Sequence, residues 1–247
     1  MFDYRKLRSN RLKSYNSINS NKLLYDLHQN IIERITAIDQ KFTNILIFDL
    51  NYHSFPNMIF SKFSNSNLYV KNFSEDIAYT DDSIDLIIFP FGLHWINDIQ
   101  KLLLSINNKL TKKGIFIAKL IAGKSLNNLY KVLVNLESLH SNKYIKRIGP
   151  FIALNSISDL MQQANFSDII IDVDKVELES RTPLELIKAI KSLGESNTII
   201  STNNTYSINK IMYNALSKST EQNFTDQINI VTILASKNKN VIKLKYF

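Results

Sequence analysis

The chain has 247 residues, 45% hydrophobic and 21% charged, which suits one large α/β domain whose core needs no covalent staples. It carries no cysteine, which excludes disulfides, thiolate metal sites and cysteine nucleophiles. No apolar run reaches the roughly 18 residues that a membrane-spanning helix needs, and the net charge of +8 comes from Lys and Arg scattered along the chain, so nucleic acid is not the expected partner and an RNA-binding reading rests on charge alone.

The first residues show no secretory pattern, although Arg5, Lys6, Arg8, Arg11 and Lys13 make them basic. Leu24, Leu27, Ile31, Ile35 and Ile38 recur at helical spacing and predict one amphipathic helix. Ile45 to Leu50 is a short continuous apolar run, as in a strand covered on both faces. Leu68-Tyr69-Val70 predicts a weaker second strand and Asp85 to Pro90 a third. A helix from about Asp98 to Leu110 follows, with Lys112, Lys113 and Gly114 as its stop signal.

Ile115–Ile121 predicts the next strand, interrupted by Lys119. Ser125 is expected to cap a helix running to about His140, and Ser156 or Ser158 to open one ending near Asn165. Ile169–Val173 reads as a strand. Pro183 and Gly194 bracket a helix in the favoured order. Thr198 to Thr205 reads as a polar loop, and a helix from about Ser207 to Ser219 precedes two closing strands, Ile228–Ala235 and Val241–Tyr246. The short join between those two permits an antiparallel hairpin. Alternating strands and helices predict a doubly wound, mostly parallel, Rossmann-like sheet with an antiparallel C-terminal strand and added helices. One unit is expected over 1–247: a helical cap over 1–40, then an α/β core with a helical insertion at about 183–220.

From Ser83 the chain resembles a known family. Ser83-Ile84-Asp85-Leu86-Ile87-Ile88 followed by Leu93-His94-Trp95-Ile96-Asn97-Asp98 is similar to a pattern of S-adenosylmethionine (SAM) methyltransferase-like proteins of the complex I assembly factor 5 type. Their relatives include malonyl-carrier-protein methyltransferases. Phe2-Asp3 with Arg8 and Arg11, Gly114-Ile115-Phe116, Gly123 with Ser125-Leu126, Arg147-Ile148-Gly149-Pro150-Phe151, Asp159-Leu160 with Ala164-Asn165-Phe166, and Gly194-Glu195-Ser196-Asn197 match further motifs in the same order. The resemblance implies a class I methyltransferase fold and SAM as cofactor. It also implies methyl transfer or arginine hydroxylation on a protein, with a respiratory complex subunit as partner, in a bacterial cytoplasm or a mitochondrial matrix. By position, Asp49, Asn51, His53, Glu75 and Phe91 fall where the family binds its cofactor.

One stretch departs from the family. Where it carries Asp-Leu-Gly-x-Gly-x-Gly, this chain reads Asp49-Leu50-Asn51-Tyr52-His53-Ser54-Phe55. Glycines there let backbone approach the ligand with no side chain between. Tyr52, His53 and Phe55 are expected to bring bulk to that place, either as a remodelled cofactor loop or as a decayed loop filled by packing side chains, and weakened or lost cofactor binding is expected. No acid stands at the end of the second strand, where the family holds the ribose: Val70 is followed by Lys71 and Asn72.

His94, Trp95 and Asp98 should lie just past a strand's carboxyl end, where open α/β sheets bind ligands. Four residues apart, His94 and Asp98 share a face if a helix has begun. Trp95 packing on the sheet and Asp98 capping the next helix is the equally weighted reading, and a metal pair lacks a third ligand. Arg147 is expected in a loop above the pocket, as a holder of an acidic group or as a solvated surface residue. Glu195 and Asn197 are expected to line the far side or to form a turn at Gly194. The alternative to an enzyme is a non-catalytic scaffold or assembly factor that keeps the fold.

Overall fold

The computed structural model of the chain describes residues 2–49, 54–72, 77, 79–140, 145–200, 208–218 and 223–245. The elements in order are α1 (Tyr4–Lys13), α2 (Tyr15–Asn19), α3 (Lys22–Ala37), β1 (Asn44–Asp49), α4 (Ser54–Lys62), β2 (Asn67–Asn72), β3 (Ile84–Phe89), a single 3-10 turn (Leu93–Trp95), α5 (Ile99–Lys109), β4 (Leu110–Ala122), α6 (Asn127–His140), α7 (Ser156–Gln163), β5 (Ser167–Ser180), α8 (Pro183–Ser192), α9 (Lys210–Leu216) and β6 (Phe224–Ser236).

The strands form one six-stranded sheet in the order β2-β1-β3-β4-β6-β5. β1 pairs in parallel with β2 and β3, and β3 with β4. β6 runs antiparallel to both β4 and β5. The expected Rossmann-like sheet with an antiparallel strand is therefore present. Ile45 to Phe48 and Leu86 to Phe89 expose nothing, which is why these runs of β1 and β3 are apolar throughout: both of their faces are covered. β2 is one edge, and Asn67, Tyr69, Val70 and Asn72 in it are exposed.

Two details of the closing segment differ from the sequence reading. The antiparallel strand β6 does not end the sheet; it is inserted between β4 and β5. Among the described residues, 241–245 form no second strand: Leu244 makes one isolated bridge to Ile38, and the others are irregular, while Tyr246 lies outside the described residues. The reason is Asp168. Its carboxylate accepts the N–H groups of Asn240, Val241 and Ile242 at 3.1, 2.8 and 3.3 Å and the Ser236 hydroxyl at 3.0 Å. Those donors are spent on one side chain and cannot feed a ladder. Burial works against the charge of Asp168, yet these donors hold its pKa below the usual carboxylate value. Its φ of 43° is one that Asn adopts readily. We expect Asp168→Ala to destabilise by about 2 kcal/mol and Asp168→Asn by less, read from the urea midpoint.

Other boundaries shift for local reasons. β5 is much longer than Ile169–Val173, because an edge strand tolerates Asp174, Lys175, Glu177 and Glu179 on its exposed positions. α5 passes straight into β4 at Leu110, so Lys112 and Lys113 lie in the strand and not in a stop signal. α9 begins at Lys210, capped by Asn209. Ser125 does not cap α6; its hydroxyl donates to the Ala122 carbonyl and accepts the Asn229 N–H. Pro183 opens α8 as read, with Thr182 as its cap, and Gly194 follows it with φ 72°.

The N-terminal segment is stapled across the sheet's carboxyl edge. The Phe2 N–H donates to Asn97 Oδ1 at 2.6 Å, and the Asn97 N–H donates to the Tyr4 hydroxyl at 2.8 Å. The Asp3 N–H reaches the Thr198 carbonyl at 2.8 Å, while the Asp3 side chain caps α1.

Candidate functional site

β3 ends at Phe89, and the chain reverses at Gly92, whose φ of 104° is a conformation that side chains disfavour. That reversal turns His94 and Trp95 inward over the end of β4. His94 is buried, and its Nδ1 accepts the Ile121 N–H at 3.1 Å. The proton of the neutral ring is thereby assigned to Nε2, which faces Glu195 Oε2 at 3.3 Å. Burial lowers the His94 pKa; the Glu195 carboxylate opposes this, and the Arg11 guanidinium adds to it. The neutral imidazole is the ordinary state near pH 7.

Glu195 is the centre of this cluster. Its Oε1 meets the Arg11 guanidinium at 2.5 Å, and its Oε2 accepts the Trp95 Nε1–H at 2.6 Å. The Arg11 side chain is only 1% exposed and that of Glu195 only 8%. Burial alone would raise the Glu195 pKa, but Arg11, His94 and Trp95 outweigh it and hold the value at about 2. Gly194 makes the contact possible. A Cβ there would sit 2.6 Å from Arg11 Cγ and 2.8 Å from Arg11 Cα. The glycine therefore admits helix α1, and the next residue fixes its arginine.

Beneath this cluster lies a cavity of about 280 Å³. Phe91, His94, Trp95, Arg147, Glu195 and Asn197 all border it, so the structure gathers those sequence candidates in one place. Asp98 is not among them. The residues after Trp95 do not continue as a helix, because Ile96 is extended, so His94 and Asp98 share no helical face. Asp98 caps α5 by accepting the Lys101 N–H at 3.0 Å. Arg147 is no solvated surface residue: its Nε donates to Glu137 Oε1 at 2.5 Å, and both side chains are buried or nearly so. The Asn197 Nδ2 donates to the Lys146 carbonyl at 2.8 Å.

The cofactor side lies toward β1 and β2. Asn51, Tyr52, His53 and Glu75 fall outside the described residues, and Asp49 is the last residue of β1. Phe91 is buried, with its ring edge-on to His94 at 5.3 Å. Phe55 packs as the reading of a loop filled by side chains expects. Its ring is fully buried and lies 4.7 Å from the His28 ring of α3, so it belongs to the core and lines no open crevice. It bolts the first turn of α4 to α3 through a side chain, at a position where a glycine would leave bare backbone. Pro56, also in that turn, has no N–H to offer a ligand at the helix start. None of the five glycines stands between Asp49 and Phe91, since they are Gly92, Gly114, Gly123, Gly149 and Gly194. Among the described residues on this side, Phe55 and Pro56 stand where the family carries its last cradle glycine and the residue after it.

Two buried cations went unassigned in the sequence. Lys119 is fully buried, and its Nζ donates to Asn30 Oδ1 at 2.9 Å and Thr232 Oγ1 at 2.6 Å. A lone lysine inside an apolar strand was the available signal. Burial pulls its pKa down to about 8, with Arg34 acting in the same direction and Asp174 and Asp172 against it. Arg11 was singled out only as part of the resemblance, and its pairing with Glu195, 184 positions away, left no sequence signal.

Known proteins resemble this chain in sequence and in fold. The family model described as a methyltransferase domain matches residues 19–118. A putative methyltransferase of Rickettsia prowazekii, RP459, is 37% identical over 202 residues, covering 82% of this chain and 86% of that protein. The mitochondrial arginine-hydroxylase NDUFAF5 of Rattus norvegicus is 27% identical over 149 residues, covering 60% of this chain and 43% of that protein. The chain thus spans less than half of that relative's length. Among solved structures, the YcgJ protein of Bacillus subtilis superposes with a TM-score of 0.52 at 11% identity, covering 87% of this chain and all of that one, which is a likeness of fold.

Proposed function

We infer, given that this chain belongs to the methyltransferase family represented by the Rickettsia protein, that it is a methyltransferase-like protein of the complex I assembly factor 5 type with weakened or lost binding of S-adenosylmethionine. The carrying observation is the stretch Asn51 to Phe55, which has no glycine where the family carries three, followed by Pro56, which has no amide N–H to give. A SAM cradle depends on close backbone approach at that turn. The end of β2 supports the same reading, since Lys71 and Asn72 offer no carboxylate to ribose hydroxyls.

The second reading is a non-catalytic scaffold or assembly factor. It is favoured by the Arg11–Glu195 pair, which fills the polar end of the site with the protein's own groups. In that reading the client is a protein, and a respiratory complex subunit is the kind of client the arginine-hydroxylase relatives suggest.

The test is thermal unfolding with and without SAM. A ligand present at a hundred times its dissociation constant stabilises by about 2.7 kcal/mol, a shift of several degrees for a chain of this size. We expect no shift at millimolar SAM. A rise of several degrees would remove the reading of weakened binding.

A further inference from the structure

We propose that the cavity beneath Trp95 binds an uncharged aliphatic chain by burial alone, and that it is not a site for a guanidinium or any other ionised acceptor. The proposal stands whether or not SAM binds.

The walls carry it. Leu24 and Leu27 from α3, Leu129 and Leu133 from α6, Leu186 from α8 and Ile230 from β6 close the cavity from different sides, and every one of them is aliphatic. At about 280 Å³ the space sits at the small end of ligand sites, which suits a single chain and not a folded segment.

The ionised groups at its boundary cancel in pairs. Glu195 is matched by Arg11, and Arg147 by Glu137. His94 is held neutral by burial and by the Ile121 N–H on its Nδ1. Lys191 also borders the space, but it is exposed to water. Among the described residues, a charge entering this cavity meets no buried countercharge that lacks its own partner. It would lose its hydration and gain little. A guanidinium in particular would have to displace Arg11 from Glu195. An alkyl chain meets none of these penalties and gains with each methylene buried.

Trp95 supplies the assay. It is the chain's one tryptophan, it borders the cavity, and its Nε1–H is tied to Glu195, so its emission reports on occupancy directly. The probes are hexanol, octanol and decanol, with decanoate, decylamine and agmatine as charged counterparts, titrated into the full chain. We expect saturable changes in emission for the alcohols, with affinity rising about fourfold per added methylene. Agmatine should leave the emission unchanged, and neither decanoate nor decylamine should bind more tightly than decanol. Leu23 and Ile190 border the cavity and are only half-buried, so Leu23→Asp and Ile190→Asp can be made without emptying the core. Each should weaken decanol about tenfold or more, with circular dichroism confirming that the fold is kept. Affinity independent of chain length, decanol binding untouched by both substitutions, or agmatine or decanoate binding more tightly than decanol would each overturn the proposal.

Discussion

Replacing Glu195 by Gln should cost about 3–5 kcal/mol of stability and lower the melting temperature by roughly 10 °C. The cost arises less from the lost attraction than from what remains. The Arg11 side chain is 1% exposed, and Glu195 is the carboxylate that faces it at 2.5 Å. Without that charge, a buried guanidinium stands without its counter-ion. The same carboxylate receives the Trp95 Nε1–H and faces His94 Nε2, so the substitution disturbs three partners at once. Arg11→Met added to Glu195→Gln should recover part of the loss, with a coupling of about 0.5–3 kcal/mol in a double-mutant cycle. Simple additivity would show that the two side chains are not energetically linked. The pH dependence has a defined sign. The folded pKa of Glu195 is depressed from 4.5 to about 2, so its contribution is complete above about pH 4.5 and fades as pH falls toward 2. The Gln variant should lack that acid limb in urea titrations.

Acidification should reveal a second large effect earlier, between about pH 6.5 and 4. His28 is buried against Phe55, and burial first, with the Lys119 charge second, lowers its pKa from 6.5 to about 4. A depressed histidine favours the neutral form in the folded state. The unfolded chain therefore takes up the proton first, and stability falls as pH drops below 6.5. Complete protonation transfers about 3 kcal/mol against folding, the product of the shift and the energy per pKa unit. His94, also lowered by burial, acts in the same direction. We expect His28→Leu to remove most of this slope, measured as the urea midpoint at pH 7 against pH 4. An unchanged slope would mean that His28 is not the group responsible.

The strands at the middle of the sheet were legible because both their faces are covered, so Ile45 to Phe48 and Leu86 to Phe89 had to be apolar throughout. The helix from Pro183 was legible because Pro and Gly mark its ends by backbone geometry alone. β5 was half missed, since an exposed edge strand carries charges that mask its period. Val241–Tyr246 was misread for the opposite reason. Its apolar pattern suits a strand, but Asp168 takes its amides, and no local rule announces a partner so far back in the chain.

The site followed the same division. His94, Trp95, Arg147, Glu195 and Asn197 were found from ordered motifs, and they do border one cavity. Their partners were not found. Arg11 meets Glu195 across the whole fold, and Glu137 meets Arg147 from α6. Asp98 was drawn into the group by its spacing from His94, and the extended Ile96 between them voids that spacing. Phe55 carried two readings, bulk in the cofactor loop or a packing side chain, and its ring is fully buried, packed on His28.

The decisive measurement is a calorimetric titration of the full chain with S-adenosylhomocysteine near pH 7. With no glycine between Asp49 and Phe91, injections up to millimolar ligand should release no heat beyond dilution. One-to-one binding in the micromolar range would mean that a nucleoside is held there without glycines, and the case for a weakened cofactor site would fall.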